Sequence, residues 1–125
     1  MAKSYTLKNI ARQQQINDFA NLTIGATDVD GLIEYKNKAY IFFEVKYKDK
    51  KMSLGQRIAL ERLVNDISRL NKKAILLLCE HDVSDTNMSI DVSSCRVRGF
   101  FYDGDWYYPD EVINVNDIIK RFLKL

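Results

Sequence analysis

Long apolar runs are absent from this chain, and cysteine and proline are scarce. No stretch approaches the roughly 18 to 20 apolar residues that a membrane-crossing helix needs, and the opening MAKSYTLKNI lacks the apolar core of a secretory leader. The expectation is a cytoplasmic protein without a membrane partner. Only Cys79 and Cys95 occur, far apart and outside any Cys-x-x-Cys spacing, which argues against a zinc centre and a disulfide framework and for two buried, reduced thiols. One proline and five glycines are too few for a disordered or fibrous segment. The sole histidine, His81, follows a strand-like run and reads as a loop residue rather than a catalytic base. What is present is an ordinary globular composition, 46% hydrophobic and 29% charged over 125 residues. That is enough for a single domain, 1–125, with a core that needs no staples.

The formal net charge of +2 conceals a polarised chain. Between Lys36 and Lys73 eleven Lys/Arg stand against four Asp/Glu, whereas between Glu80 and Asp117 nine acids stand against Arg96 and Arg98. Such a chain can turn a basic face to a polyanion while staying nearly neutral, so nucleic acid is the first partner to consider. A pair of solvated faces is the plain alternative.

Periodicity supplies the elements. Leu7–Leu22 suits a first amphipathic helix ending near Asn21. GLIEY and YIFFEVKY, separated by Lys36, Asn37 and Lys38, read as a β-hairpin. From Ser53 to Leu70, Leu54, Ile58, Leu63, Val64, Ile67 and Leu70 follow helical spacing, and Ser53 with Gln56 has the S-x-x-Q form of a capping box. The unbroken run Ala74–Cys79 reads as a strand covered on both faces. A polar loop then leads to CRVRGFFY and WYY around Asp103-Gly104, a hairpin that faces Phe101 with Trp106 and Phe100 with Tyr107. A last helix starts at an Asn cap at Asn116, with Asp117 in its first turn and Lys/Arg toward its end. The fold class expected is α/β, a central mixed sheet flanked by helices with a C-terminal hairpin and helix.

The chemistry concentrates in the first hairpin. A three-residue loop at Lys36–Lys38 puts Asp30 directly opposite Glu44, with Lys46 on the same face; a two-residue loop would send Asp30 to the other face. Opposed residues have Cβ atoms roughly 5 Å apart, close enough for two carboxylates to share a divalent cation. The odd positions Ile33, Tyr35, Ile41, Phe43, Val45 and Tyr47 mark the core face. Charges inside so apolar a strand are an anomaly, and an exposed Glu–Lys ion pair is their plainest explanation. Asp28 shares the parity of Asp30 but falls opposite Lys46, as an ion pair rather than a second carboxylate. Gly31 leaves room for the backbone to bend and for a metal or phosphate to approach.

An acid opening one strand, Glu-x-Lys in the next, and a helix carrying Gln soon afterwards resemble the PD-(D/E)XK nuclease superfamily. The matching stretch is VDGLIEYKNKAYIFFEVKYKDKKMSLGQ, Val29 to Gln56, closest to the small phage-type and VRR-NUC-like branches, and the likeness extends loosely over residues 5–80. It implies a restriction-endonuclease-like core and a Mg2+-dependent DNA endonuclease, with Mn2+ able to substitute. Asp30, Glu44 and the Val45 carbonyl would hold the metal, Lys46 would be the catalytic cation, and Gln56 would orient the nucleophile. In that role Lys46 would stabilise transition-state charge rather than act as a base. The proline of the family name is replaced by Val29, and Asp18 is the only carboxylate in the first helix, which weakens the case for a second metal.

The basic stretch supplies candidate DNA contacts at Lys36, Lys48, Lys50, Lys51 and Arg57, and a homodimer would let one site per chain act on two strands. Gln56 is equally explained as a capping residue, and Glu34 and Glu61 as surface charges rather than supports of the site. Three rival functions remain: a nucleic-acid-binding module that has lost metal binding, a structure-specific nuclease of the Holliday-junction-resolvase type, and a protein-interaction domain using the aromatic hairpin.

Overall fold

The computed structural model describes Phe19 and residues 21–125; Asp18 and all of the expected first helix but Phe19, Asn21 and Leu22 lie outside the described residues. Strands β1 (Gly31–Tyr35), β2 (Ala39–Tyr47), β3 (Lys73–His81), β4 (Arg96–Tyr102) and β5 (Asp105–Tyr107) form one open sheet in sequential order. Helix α1 (Leu54–Ser68) joins β2 to β3, and α2 (Val115–Leu123) ends the chain. The β2–β3 pair is parallel and its neighbours antiparallel, so the sheet is mixed. Among the described residues no helix is long and apolar enough to cross a membrane.

The first hairpin has the expected register. Gly31 pairs with Phe43 and Tyr35 with Ala39 across the loop Lys36–Lys38, where Lys36 and Asn37 take left-handed backbone angles. Both faces of β2 are buried. Ile41, Phe43, Ile75, Leu77, Val97, Val115 and Ile118 form one core under α2, while Phe42, Leu60, Val64, Ala74, Leu76 and Phe101 form a second under α1. The even face of the hairpin is therefore a core in its own right as far as Phe42, and only beyond it does Glu44 begin the polar end.

Three expectations need correcting. In α1 only Leu60 and Val64 are buried; Leu54, Ile58 and Leu63, and Leu70 just beyond its end, are exposed, because the sheet contacts a narrower stripe than the six periodic residues suggested. The cap of α2 is Asn114, whose side chain accepts the Asp117 N–H at 2.9 Å. A cap at Asn116 would leave Val115, 1% exposed, outside the helix. His81 closes β3 instead of lying in the loop, and its Nδ1 accepts the Val83 N–H.

The second hairpin pairs Phe101 with Trp106 and Phe100 with Tyr107 as the turn signal required, with the Phe100 and Tyr107 rings stacked at 5.2 Å. Both cysteines are free and buried. Burial first, then the nearby Cys95, pushes the Cys79 thiol up to about 12, so it stays protonated at neutral pH and is no nucleophile.

Candidate functional site

Glu44 is the one charged residue among the buried residues described, at 2% exposure. It sits where β1 has ended and β2 continues. Asp30 immediately precedes β1, and its N–H donates at 3.1 Å to the carbonyl of Phe43, the partner of Gly31. Its carboxylate Oδ2 accepts the Val45 N–H at 2.7 Å, which orients it toward the strand that carries Glu44. A strand residue presents its N–H and C=O to the same neighbour. The Val45 carbonyl therefore also points past the end of β1, on the side where Asp30 lies.

Glu44 Oε1 lies 3.2 Å from Lys46 Nζ, whereas Oε2 is buried without a hydrogen-bond partner. Burial above all, and then the neighbouring Asp30 carboxylate, hold the Glu44 carboxyl above its ordinary value, although Lys46 pulls the other way. Two carboxylates, one of them with an orphaned oxygen, and a strand carbonyl make a hard oxygen donor set, and the chemistry of that set fits Mg2+ or Mn2+. No group of three His, Cys, Asp or Glu side chains gathers among the described residues, so waters and substrate oxygens would complete the coordination, as Mg2+ usually requires.

The N-terminus of α1 frames the site. Ser53 Oγ accepts the Gln56 N–H at 3.2 Å, the first half of a capping box. The Gln56 side chain does not reach back to Ser53. Its Nε2 donates instead to the Asp28 carbonyl at 3.2 Å, tethering the segment that delivers Asp30. Asp28 thus contributes its backbone, and the ion pair expected with Lys46 is replaced by the Lys46–Glu44 contact. Gly31 also has a different reason from the one expected: an added Cβ would meet the Phe43 ring at 3.2 Å, so its missing side chain is filled by packing rather than left open to a ligand.

No family model, curated protein or solved structure matches this chain. Function has to be read from the geometry.

The candidate DNA-contacting residues divide. Lys48, Lys50 and Lys51 follow β2 directly and lie in the turn and loop leaving the site. Lys36 lies at the opposite end of the hairpin, about 17 Å of strand from Glu44, with its Nζ over the Tyr35 ring. Arg57 is engaged elsewhere: Nε donates to Glu61 at 2.8 Å and the guanidinium lies over Trp106. Glu61 also accepts Trp106 Nε1 at 2.6 Å. Burial works against it, but the hydrogen bonds from Arg57 and Trp106 hold the Glu61 carboxyl below its ordinary value. It joins α1 to β5 rather than supporting Glu44, and Glu34 accepts the Asn37 N–H in the hairpin loop.

Two residues missed in the sequence border the site. Glu80 pairs with Lys46 across the parallel strands and meets Arg96 at 3.5 Å and Arg98 at 3.8 Å. Its signal was present: it is the first charged residue after the apolar run of a parallel strand, at the carboxyl end where α/β sheets gather polar function. Arg98 carried no such signal, because its direction is set by an irregularity in β4.

Proposed function

We propose that this chain is a metal-dependent endonuclease acting on DNA, with a restriction-endonuclease-like core. The observation that carries the reading is the unpartnered, buried Oε2 of Glu44 beside Asp30. Lys46 answers Oε1 alone; a buried carboxylate oxygen beside a second carboxylate is costly unless a further cation or a proton meets it, and a divalent ion would. The basic turn after β2 supports a polyanionic substrate.

In this reading Asp30, Glu44 and the Val45 carbonyl hold the divalent ion. When bound, it neutralises the scissile phosphate and lowers the pKa of an attacking water. Lys46, adjacent to Glu44, places its ammonium where charge builds on the phosphate oxygens in the transition state. Gln56 positions the Asp28–Asp30 segment and, from the end of α1 that frames the site, helps to orient the water. Lys48, Lys50 and Lys51 bind flanking phosphates.

The test is a cleavage assay on duplex, nicked, branched and single-stranded DNA with Mg2+, Mn2+ or EDTA. Cleavage that needs the metal and vanishes in Glu44→Ala and Lys46→Ala, both still folded and still binding DNA, is the expected result. Variants that cut as well as the wild type would place the site elsewhere.

A further inference from the structure

Arg98 lies outside the carboxylate pair, yet its contacts converge on the segment that leaves it. Its Nη1 donates to the Lys48 carbonyl at 2.8 Å and its Nη2 to the Lys50 carbonyl, and Nη1 lies 3.8 Å from Glu80. On the other side, the Lys48 N–H donates to the His81 carbonyl at 2.7 Å, and the Lys50 N–H closes the turn on Tyr47 at 3.2 Å. The turn Tyr47–Lys50 is thus fastened to β3 by backbone and to β4 by one side chain.

Two features set this grip apart from an ordinary surface contact. Leu78 pairs with Gly99 and Cys79 with Val97, which leaves Arg98 as the extra residue of a β-bulge. Bulges re-aim a side chain, and this one turns Arg98 toward Glu80, the strand neighbour of Lys46. Second, Lys48 has φ +48°, a left-handed conformation that is unfavourable for a non-glycine residue. The Arg98 contacts hold the turn against that strain. A guanidinium can span two carbonyls with its planar fork, whereas an ammonium acts as a single point charge.

We infer that Arg98 is a positioning residue for the proposed nuclease: it fixes the turn after β2 so that Lys48, Lys50 and Lys51 form a preformed phosphate platform beside Lys46. The inference rests on the DNA-cleavage reading, and its gain is preorganisation, since lysines on a loose loop would have to be ordered on every binding event. Arg98 touches no reacting atom in this scheme. Its loss should weaken substrate binding and leave the chemical step alone.

Arg98→Ala and Arg98→Lys in the full chain are compared with the wild type by tryptic cleavage after Lys48, Lys50 and Lys51, by KM and kcat for metal-dependent DNA cleavage, and by melting temperature as a check of folding. In both variants trypsin should open the turn about tenfold faster, and KM should rise about tenfold as two phosphates lose their ordered partners, with kcat within about twofold. Arg98→Lys keeps the charge, so its sharing the defect separates positioning from electrostatics. A turn that stays protected in the folded variants, an unchanged KM once the turn is open, or an Arg98→Lys protein equal to wild type each overturns the inference. A wild type that cuts no DNA with either metal sinks the nuclease reading and the platform with it, while the trypsin result still reports whether Arg98 holds the turn.

Discussion

At the scale of single residues, the physics of Glu44 makes its own predictions. Its carboxyl is held above the ordinary value of 4.5 by burial and by Asp30, so between 4.5 and the raised value the folded state binds more protons than the unfolded one. Stability from this group therefore falls as pH rises through that window. In EDTA, Glu44→Gln should be more stable than the wild type at neutral pH by about 1–2 kcal/mol, the scale of an unsatisfied buried polar group, and the difference should vanish below about pH 4.5. Melting temperatures across pH, repeated with Mg2+, check this; the metal should raise the wild type and not the variant. For cleavage, Lys46→Ala should lose about 100- to 1,000-fold in kcat, the usual effect of removing one group aimed at transition-state charge. Asp30→Asn should abolish cleavage, while Asp28→Asn, which leaves the carbonyl bound by Gln56 intact, should stay within about threefold of wild type. Parallel kinetics on the two decide it; the reverse ranking would mean that Asp30 is not the first carboxylate. The hairpin register was legible because loop length alone sets it, and it brings the Asp30 carboxylate close enough to act on Glu44. The role of Gln56 was not, since a capping box and a tether need the same residue at the same spacing.

At the scale of elements, pattern and outcome part company where tertiary contact decides. The hairpin, α1, β3 and the aromatic hairpin could all be read from alternation, caps and turn residues, because each signal is local. The bulge in β4 could not, since it depends on how β4 meets β3, and with it went the direction of Arg98. The buried stripe of α1 was also overcounted, for periodicity cannot tell how much of a helix a sheet will cover. That narrowness concentrates the packing energy: Val64 is fully buried and Leu60 is 4% exposed. Leu60→Ala should cost about 2–4 kcal/mol, while the exposed Leu63→Ala should cost under about 1 kcal/mol, as measured by urea unfolding. Comparable losses would show that something covers the outer side of α1. The turn after β2 carries its own test. Replacing Lys48, Lys50 and Lys51 together should weaken DNA binding and flatten the slope of log K against log salt by about 2 to 3, one unit for each phosphate no longer neutralised. An unchanged slope would reduce these lysines to solvated loop residues.

For the molecule as a whole, the geometry gives one candidate metal site among the described residues, at one end of a five-stranded sheet. A single site meets one phosphodiester at a time, and the two strands of a duplex run in opposite directions, so a second cut requires either a second encounter or a second copy related by a twofold axis. With supercoiled plasmid, at protein concentrations where light scattering finds monomers free and on DNA, nicked circles should accumulate first and linear DNA should appear only after a lag. Raising the concentration until dimers form should shorten that lag. Linear DNA produced without a nicked intermediate by a protein that remains monomeric would mean that one chain turns over both strands in a single binding event, and that the requirement for two copies is mistaken.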